Sequence, residues 1–133
     1  MMEKKHISAL SVLVVEDDLV VRDAQSAMLR SIGVGHIVSA KNGNEAINKI
    51  EDADTAFDAI LLDIFMPESD GVEFFRRMAD KSLQIPIIVV SGAPDSIVKT
   101  AATLGELYEQ PIKAIVRKPI SSRVLKALLE DID

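Results

Sequence analysis

The stretch Asp58-Ala59-Ile60-Leu61-Leu62-Asp63-Ile64-Phe65-Met66-Pro67 decides how this chain folds. Ala59-Ile60-Leu61-Leu62 is a short, unbroken apolar run closed by an acid. A strand with one wet face would alternate apolar and polar residues. An unbroken run suits a strand covered on both faces, as helices cover a parallel sheet. The pattern recurs on either side. Val12-Leu13-Val14-Val15 leads into Glu16-Asp17-Asp18, and Ile87-Ile88-Val89-Val90 leads into Ser91. Ile37-Val38 and Ala114-Ile115-Val116 are weaker runs of this kind, the second followed by Lys118-Pro119.

Amphipathic stretches at helical spacing lie between these runs. Val21, Ala24, Met28 and Ile32 recur every three or four residues and end at Gly33, a helix stop. Ala46, Ile47 and Ile50 form a second stripe behind the turn Lys41-Asn42-Gly43, and Val72, Phe75 and Met78 a third behind Ser69-Asp70-Gly71. A fourth helix is expected from about Asp95 towards Leu107, behind Pro94. A fifth runs from Ser121 through Val124, Leu125, Leu128 and Leu129, with Ser121-Ser122 where an N-cap is wanted. The segment from Leu104 to Pro111 is polar, contains Gly105 and stops at a proline. The fourth helix is therefore expected to end early in a long loop. Strand–helix alternation along the chain predicts an α/β fold: a doubly wound five-stranded parallel sheet with about five helices on its two faces.

The 133 residues suit one domain, 1–133, with a core from about 11 to 130. A content of 48% hydrophobic and 27% charged residues excludes a disordered chain. Without cysteine there is no disulfide framework, no thiol catalysis and no cysteine-bound zinc or iron–sulfur cluster. Fifteen basic against twenty-one acidic residues give a formal net charge of −6, so no direct grip on nucleic acid is expected. No apolar run approaches membrane-spanning length and no signal peptide stands at the start, so no membrane contact and a cytoplasmic location are expected.

In open parallel α/β sheets, ligands bind beyond the carboxyl ends of the strands, where the strand order reverses. Glu16, Asp17, Asp18, Asp63, Ser91 and Lys118 follow or lead from the apolar runs, so they should converge on that rim. Crowded carboxylates repel one another, and a hard divalent cation removes that cost. Magnesium takes oxygen ligands and needs only one or two carboxylates besides water and a substrate phosphate. Glu16, Asp17 and Asp63 meet that need, while Lys118 and Ser91 would face phosphoryl oxygens. The chemistry suggested is phosphoryl transfer to a carboxylate, with Asp63 as nucleophile. Asp18 reads as a helix start instead. Gly33-Val34-Gly35 precedes a strand and lacks a third glycine, so it is no dinucleotide loop. His6 and His36 stand apart from these acids and read as surface or structural residues.

These residues carry a resemblance. Val12 to Asp18, Asp58 to Pro67 with Asp70-Gly71, Pro86 to Ser91, and Lys118-Pro119 together resemble a response-regulator receiver domain of two-component signalling, in the CheY-like superfamily. The resemblance implies a flavodoxin-like sheet of order 2-1-3-4-5. It also implies that Asp63 is the phosphoacceptor, that Glu16 and Asp17 are the acidic metal pair, and that the Phe65 backbone carbonyl is a further metal ligand. Ser91 becomes the switch hydroxyl, Lys118 the lysine that contacts the phosphate, and Mg2+, or Mn2+ in its place, the cofactor. The Lys118–Pro119 bond is often cis in this family. The implied partners are a sensor histidine kinase or phosphotransfer protein, a fused or separate output domain, and a second copy in a homodimer. The switch would phosphorylate itself from its donor and is not an enzyme acting on other substrates. The chain ends at Asp133, just past the fifth helix, which suits either a stand-alone regulator or a receiver from a longer protein.

Three departures stand out. Glu16 replaces the commoner Asp. Ile115 occupies the position usually held by Tyr or Phe, so the aromatic side-chain flip of many relatives has no counterpart here. The spacing from Ser91 to Lys118 is longer by about a turn of helix, and Ala101 to Val116 weakly resembles receivers fused to cyclic-di-GMP phosphodiesterase (EAL-type) modules. Two rival readings compete. A haloacid-dehalogenase-type phosphatase wants a second Asp two residues after its nucleophile, where this chain has Phe65. A degenerate receiver that only binds partners would lack chemical residues that are all present here. By the same resemblance, Phe65 and Ala93 flank the path of a hydrolytic water. Neither side chain can hydrogen-bond that water, so a slowly decaying phosphorylated state is expected.

Overall fold

The computed structural model describes residues 5–54, 56–64 and 71–132. After a 3-10 turn, Ile7–Ala9, the elements run β1 (Ser11–Val15), α1 (Leu19–Ser31), β2 (His36–Ala40), α2 (Gly43–Asp52), β3 (Ala59–Leu62), α3 (Gly71–Asp80), β4 (Ile87–Ser91), α4 (Asp95–Leu107), β5 (Ile112–Arg117) and α5 (Ser122–Glu130). All five strands pair in parallel, in the order β2-β1-β3-β4-β5.

The three strong apolar runs are the three central strands, and every one of their residues is buried. The two weaker runs are the edges, where burial is partial in β2 and alternates along β5. Successive side chains of a strand point to opposite faces, so the sheet builds two cores. Leu13, Val15, Ile60, Leu62, Ile87 and Val89 pack with Ala46 and Ile47 of α2, Phe74, Phe75 and Met78 of α3, and Ala101 of α4. Val12, Val14, Leu61, Ile88 and Val90 pack with Leu29 of α1 and Leu125 and Leu129 of α5. Among the described residues, no helix is long and apolar enough to cross a membrane.

Among the described residues, side-chain caps start three α-helices. Asp18 accepts from the amides of Val20 and Val21, Asn42 from that of Glu45, and Ser121 from that of Val124. Helix α1 stops where Gly33 takes a φ of 102°, a conformation costly to any residue with a Cβ. The Val34 amide then reaches back to the Leu29 carbonyl, and the Gly33 amide to that of Arg30, which closes the helix end.

Two expectations need correction. Ala24 is exposed; the buried residues of α1 are Gln25, Ser26 and Leu29. Met28 and Ile32 of the expected stripe do pack against the core, but two of the three buried residues are polar, so apolar spacing alone did not mark them. Helix α4 does not end early but runs to Leu107, and Gly105 lies buried within it. A Cβ at Gly105 would lie 2.5 Å from Ile112 Cδ1 and 3.1 Å from Phe75 Cε2. The glycine lets α4 approach β5 and α3 closely and does not break the helix.

Candidate functional site

Backbone hydrogen bonds carry the sheet ladder one residue beyond the strands, and this fixes where the reactive side chains stand. The Asp63 amide donates to the Val15 carbonyl at 3.0 Å, the Glu16 amide to Ala40 at 3.0 Å, and the Lys118 amide to Ser91 at 3.1 Å. Val15 is paired with Leu62, and Ser91 with Arg117. Glu16 and Asp63 therefore leave adjacent strands at the same level. Between them the strand order reverses, because β2 and β3 lie on opposite sides of β1.

Glu16, Asp17 and Asp63 each present a carboxylate oxygen, all within 4.8 Å of one another. Glu16 is 1% exposed and Asp63 is buried, whereas Asp17 faces solvent. Lys118 comes from the far side of the sheet. Its Nζ lies 2.5 Å from Glu16 Oε1 and donates to Asp63 Oδ2 at 3.1 Å. The Lys118 ammonium thereby compensates the charge of this buried oxygen. The other Glu16 oxygen accepts from the Asp18 amide at 3.2 Å.

Burial raises the Asp17 carboxyl above its ordinary range, and its hydrogen bond to and repulsion from Glu16 raise it further. Burial by itself would lower Lys118, but the carboxylates of Glu16 and Asp63 outweigh it and hold the ammonium above its ordinary value. Three acids against one ammonium leave an excess of two negative charges when all are ionised, which one divalent cation would balance. Hard carboxylate oxygens gathered this closely, with that excess of negative charge, fit Mg2+ or Mn2+.

Ser91 closes β4, and its buried Oγ accepts the Ala93 amide at 3.0 Å. Gly92, Ala93 and Pro94 line a cavity of about 250 Å3 together with Asp63 and Lys118. The Lys118–Pro119 bond is cis. A larger cavity of about 390 Å3, lined by His36, Val38, Lys49, Asp52, Ala53, Asp54 and Phe57, sits where β2 and β3 begin. It lies away from the acids, so its size does not make it the site of the chemistry suggested here.

The structure thus brings together Glu16, Asp17, Asp63 and Lys118, with Ser91 beside them behind the β4–α4 connection. Asp18 caps α1, as expected. The Phe65 carbonyl, taken as a metal ligand, lies outside the described residues. Ile115 is 42% exposed on the edge strand. His36 is exposed, and His6 accepts the Ser8 amide within the first turn. Arg117 went unnoticed in the sequence. Its Nη1 donates to the Ala93 carbonyl at 2.7 Å, and its Nη2 pairs with Asp95. No spacing marks such a contact, because an arginine on an alternating edge strand reads as a solvated one.

Comparison with known proteins follows the same lines. Residues 12–130 match the response regulator receiver domain family. The chain is 30% identical over 122 residues to the two-component response regulator ARR22 of Arabidopsis thaliana, covering 89% of this chain and 85% of that protein. It is 28% identical over 118 residues to a cyclic di-GMP phosphodiesterase of Thermotoga maritima, covering 88% of this chain and 29% of that protein. The chemotaxis protein CheY4 of Vibrio cholerae superposes with a TM-score of 0.76 at 26% identity, covering 94% of this chain and all of that one. The chain spans only 12%, 50% and 65% of the lengths of three other curated relatives.

Proposed function

Since the chain belongs to the response regulator receiver domain family, we propose that it is a phosphoacceptor switch of two-component signalling, one receiver domain occupying 1–133. The observation that carries this reading is the meeting of Glu16, Asp17 and Asp63 at the reversal point of the sheet, with Lys118 bridging Glu16 and Asp63. A phosphohistidine of a sensor kinase or phosphotransfer protein is the donor. An oxygen of Asp63 forms the new bond to phosphorus while the P–N bond breaks, and the leaving imidazole nitrogen keeps the electron pair and takes up a proton. Lys118, already beside Asp63, stabilises the oxygens of the transferred group, and the Ser91 hydroxyl, whose oxygen accepts from the Ala93 amide, donates its own proton to one of them. Glu16, Asp17 and Asp63, with the Phe65 carbonyl that the family resemblance implies, would hold Mg2+ or Mn2+. When bound, the ion would supply positive charge to neutralise phosphoryl oxygens. The product is an acyl phosphate on this chain, so the protein is the switch and not an enzyme for other substrates. The setting is cytoplasmic, as for a kinase-fed signalling pathway.

Phosphorylation would alter the surface that meets an output, fused or separate, or a second copy of the chain. The likeness to the cyclic di-GMP phosphodiesterase supports an output of that kind as one candidate. Incubation with Mg2+ and a small phosphodonor tests the reading. The intact mass should gain one phosphoryl group, removal of the metal should abolish the gain, and Asp63→Asn should fold normally without gaining it. A stable phosphoryl group on the Asp63→Asn protein would refute Asp63 as the acceptor. A wild type that takes none would favour a module that only binds partners.

A further inference from the structure

We propose, on the basis of the phosphoacceptor reading, that Arg117 is a positioning residue. It straps the β4–α4 connection across the Asp63 cavity and so sets how readily Ser91 turns to a phosphoryl group. Arg117 ends β5 opposite Ser91, the last residue of β4. From there its guanidinium reaches over the connection, donating to the Ala93 carbonyl at 2.7 Å and pairing with Asp95 at the start of α4. A planar fork of donors can hold two acceptors at once, which a single ammonium does poorly.

Ala93 is thereby held at both its polar groups. Its carbonyl belongs to Arg117, and its amide donates to Ser91 Oγ at 3.0 Å. Ala93 is also buried, and with Gly92 and Pro94 it walls the cavity over Asp63 and Lys118. Where Ser91 Oγ itself moves towards a phosphoryl oxygen, the Ala93 amide follows it or loses its acceptor. A buried amide left without a partner is costly, so residues 92–94 are drawn along with the serine. Arg117 grips the same residue and opposes that shift. It loads the resting arrangement, and the switch works against it.

The test uses the full chain in three forms: wild type, Arg117→Ala and Arg117→Lys. In Arg117→Ala, amide exchange at Gly92 and Ala93 should rise about tenfold while exchange in the buried strand β4 stays unchanged. Mg2+ affinity should not change. The affinity of the Mg2+-loaded protein for beryllofluoride should rise about fivefold, equivalent to about 1 kcal/mol. Arg117→Lys, which keeps the charge and one donor, should fall between the two. A merely structural role would not strengthen beryllofluoride binding while leaving the metal alone. Unchanged exchange at Ala93, or equal or weaker beryllofluoride binding by Arg117→Ala beside a wild type that binds normally, overturns the strap alone. A wild type that fails to bind beryllofluoride overturns the phosphoacceptor reading, and with it the role of Arg117 in switching.

Discussion

Lys118 lies between two acids that are themselves withdrawn from water, and this shared ammonium is what lets Glu16 and Asp63 stand so close. Burying an ion costs several kcal/mol unless an opposite charge meets it. Asp17, the outer member of the cluster, has no comparable cation among the described residues. Its folded value is raised by burial and by Glu16, so the stability it contributes is present in acid and is lost as pH rises through that raised value. In EDTA at neutral pH, Asp17→Asn should therefore be slightly more stable than the wild type. The gain should stay well under about 1 kcal/mol because solvent screens this exposed group. Urea unfolding should show the gap closing below the ordinary aspartate value of 3.8; an equal gap at both pH values would contradict it. A second prediction concerns the lifetime of the acyl phosphate. The buried Ala93 brings only a methyl group to the Asp63 cavity, and Phe65 has no polar side-chain atom with which to hold a water. Wild-type phosphoryl label should decay over many minutes once the donor is removed. Phe65→Asn should speed the loss about tenfold by recovering about 1.4 kcal/mol of water positioning. Decay of the wild type within seconds would overturn this argument and leave Asp63 as the acceptor.

At the scale of elements, neighbouring acids divide their labour. Asp17 brings a carboxylate oxygen to the solvent side of the cluster, whereas one oxygen of Asp18 takes two amides at the start of α1, at 2.9 and 3.1 Å. Asp18→Ala should cost about 1 kcal/mol of stability, Asp18→Ser should restore most of it, and neither should alter Mg2+ affinity. Asp17→Ala should do the converse, lowering metal affinity. Thermal unfolding and metal titration of the variants separate the two roles, and a loss of Mg2+ binding in Asp18→Ala would refute the division. The Asp18 cap and the place of Asp17 just past β1 were legible in the residues after Val15, because caps and strand ends are local events. Helix α4 was not legible in the same way. Gly105 looks like a stop until Ile112 and Phe75 are seen against it, and that contact joins three elements. Strand β5 likewise carries a register shift opposite Ile87 and Ile88, which seats Arg117 opposite Ser91. Pairing of that kind leaves no periodic trace in either strand.

For the whole molecule, a metal held by the cluster would couple its binding to stability. A ligand bound only by the folded state stabilises it by about 2.7 kcal/mol at a hundredfold excess over the dissociation constant. Thermal unfolding with Mg2+ at that level, compared with EDTA, should show this gain in the wild type and little of it in Asp17→Ala. Equal gains in both proteins would place the metal elsewhere. Three unbroken apolar runs, each followed by a polar or acidic residue, were enough to specify a covered parallel sheet with its reactive groups at one end. Burial on both faces demands such runs, and period and composition record that demand residue by residue. Folding alone decided that Lys118 meets Glu16 as well as Asp63, that Gln25, Ser26 and Leu29 form the inner face of α1, and that Arg117 holds Ala93. Each of these depends on register and on distances between segments far apart in the chain. A linear pattern repeats along one element and carries no measure of the gap to the next.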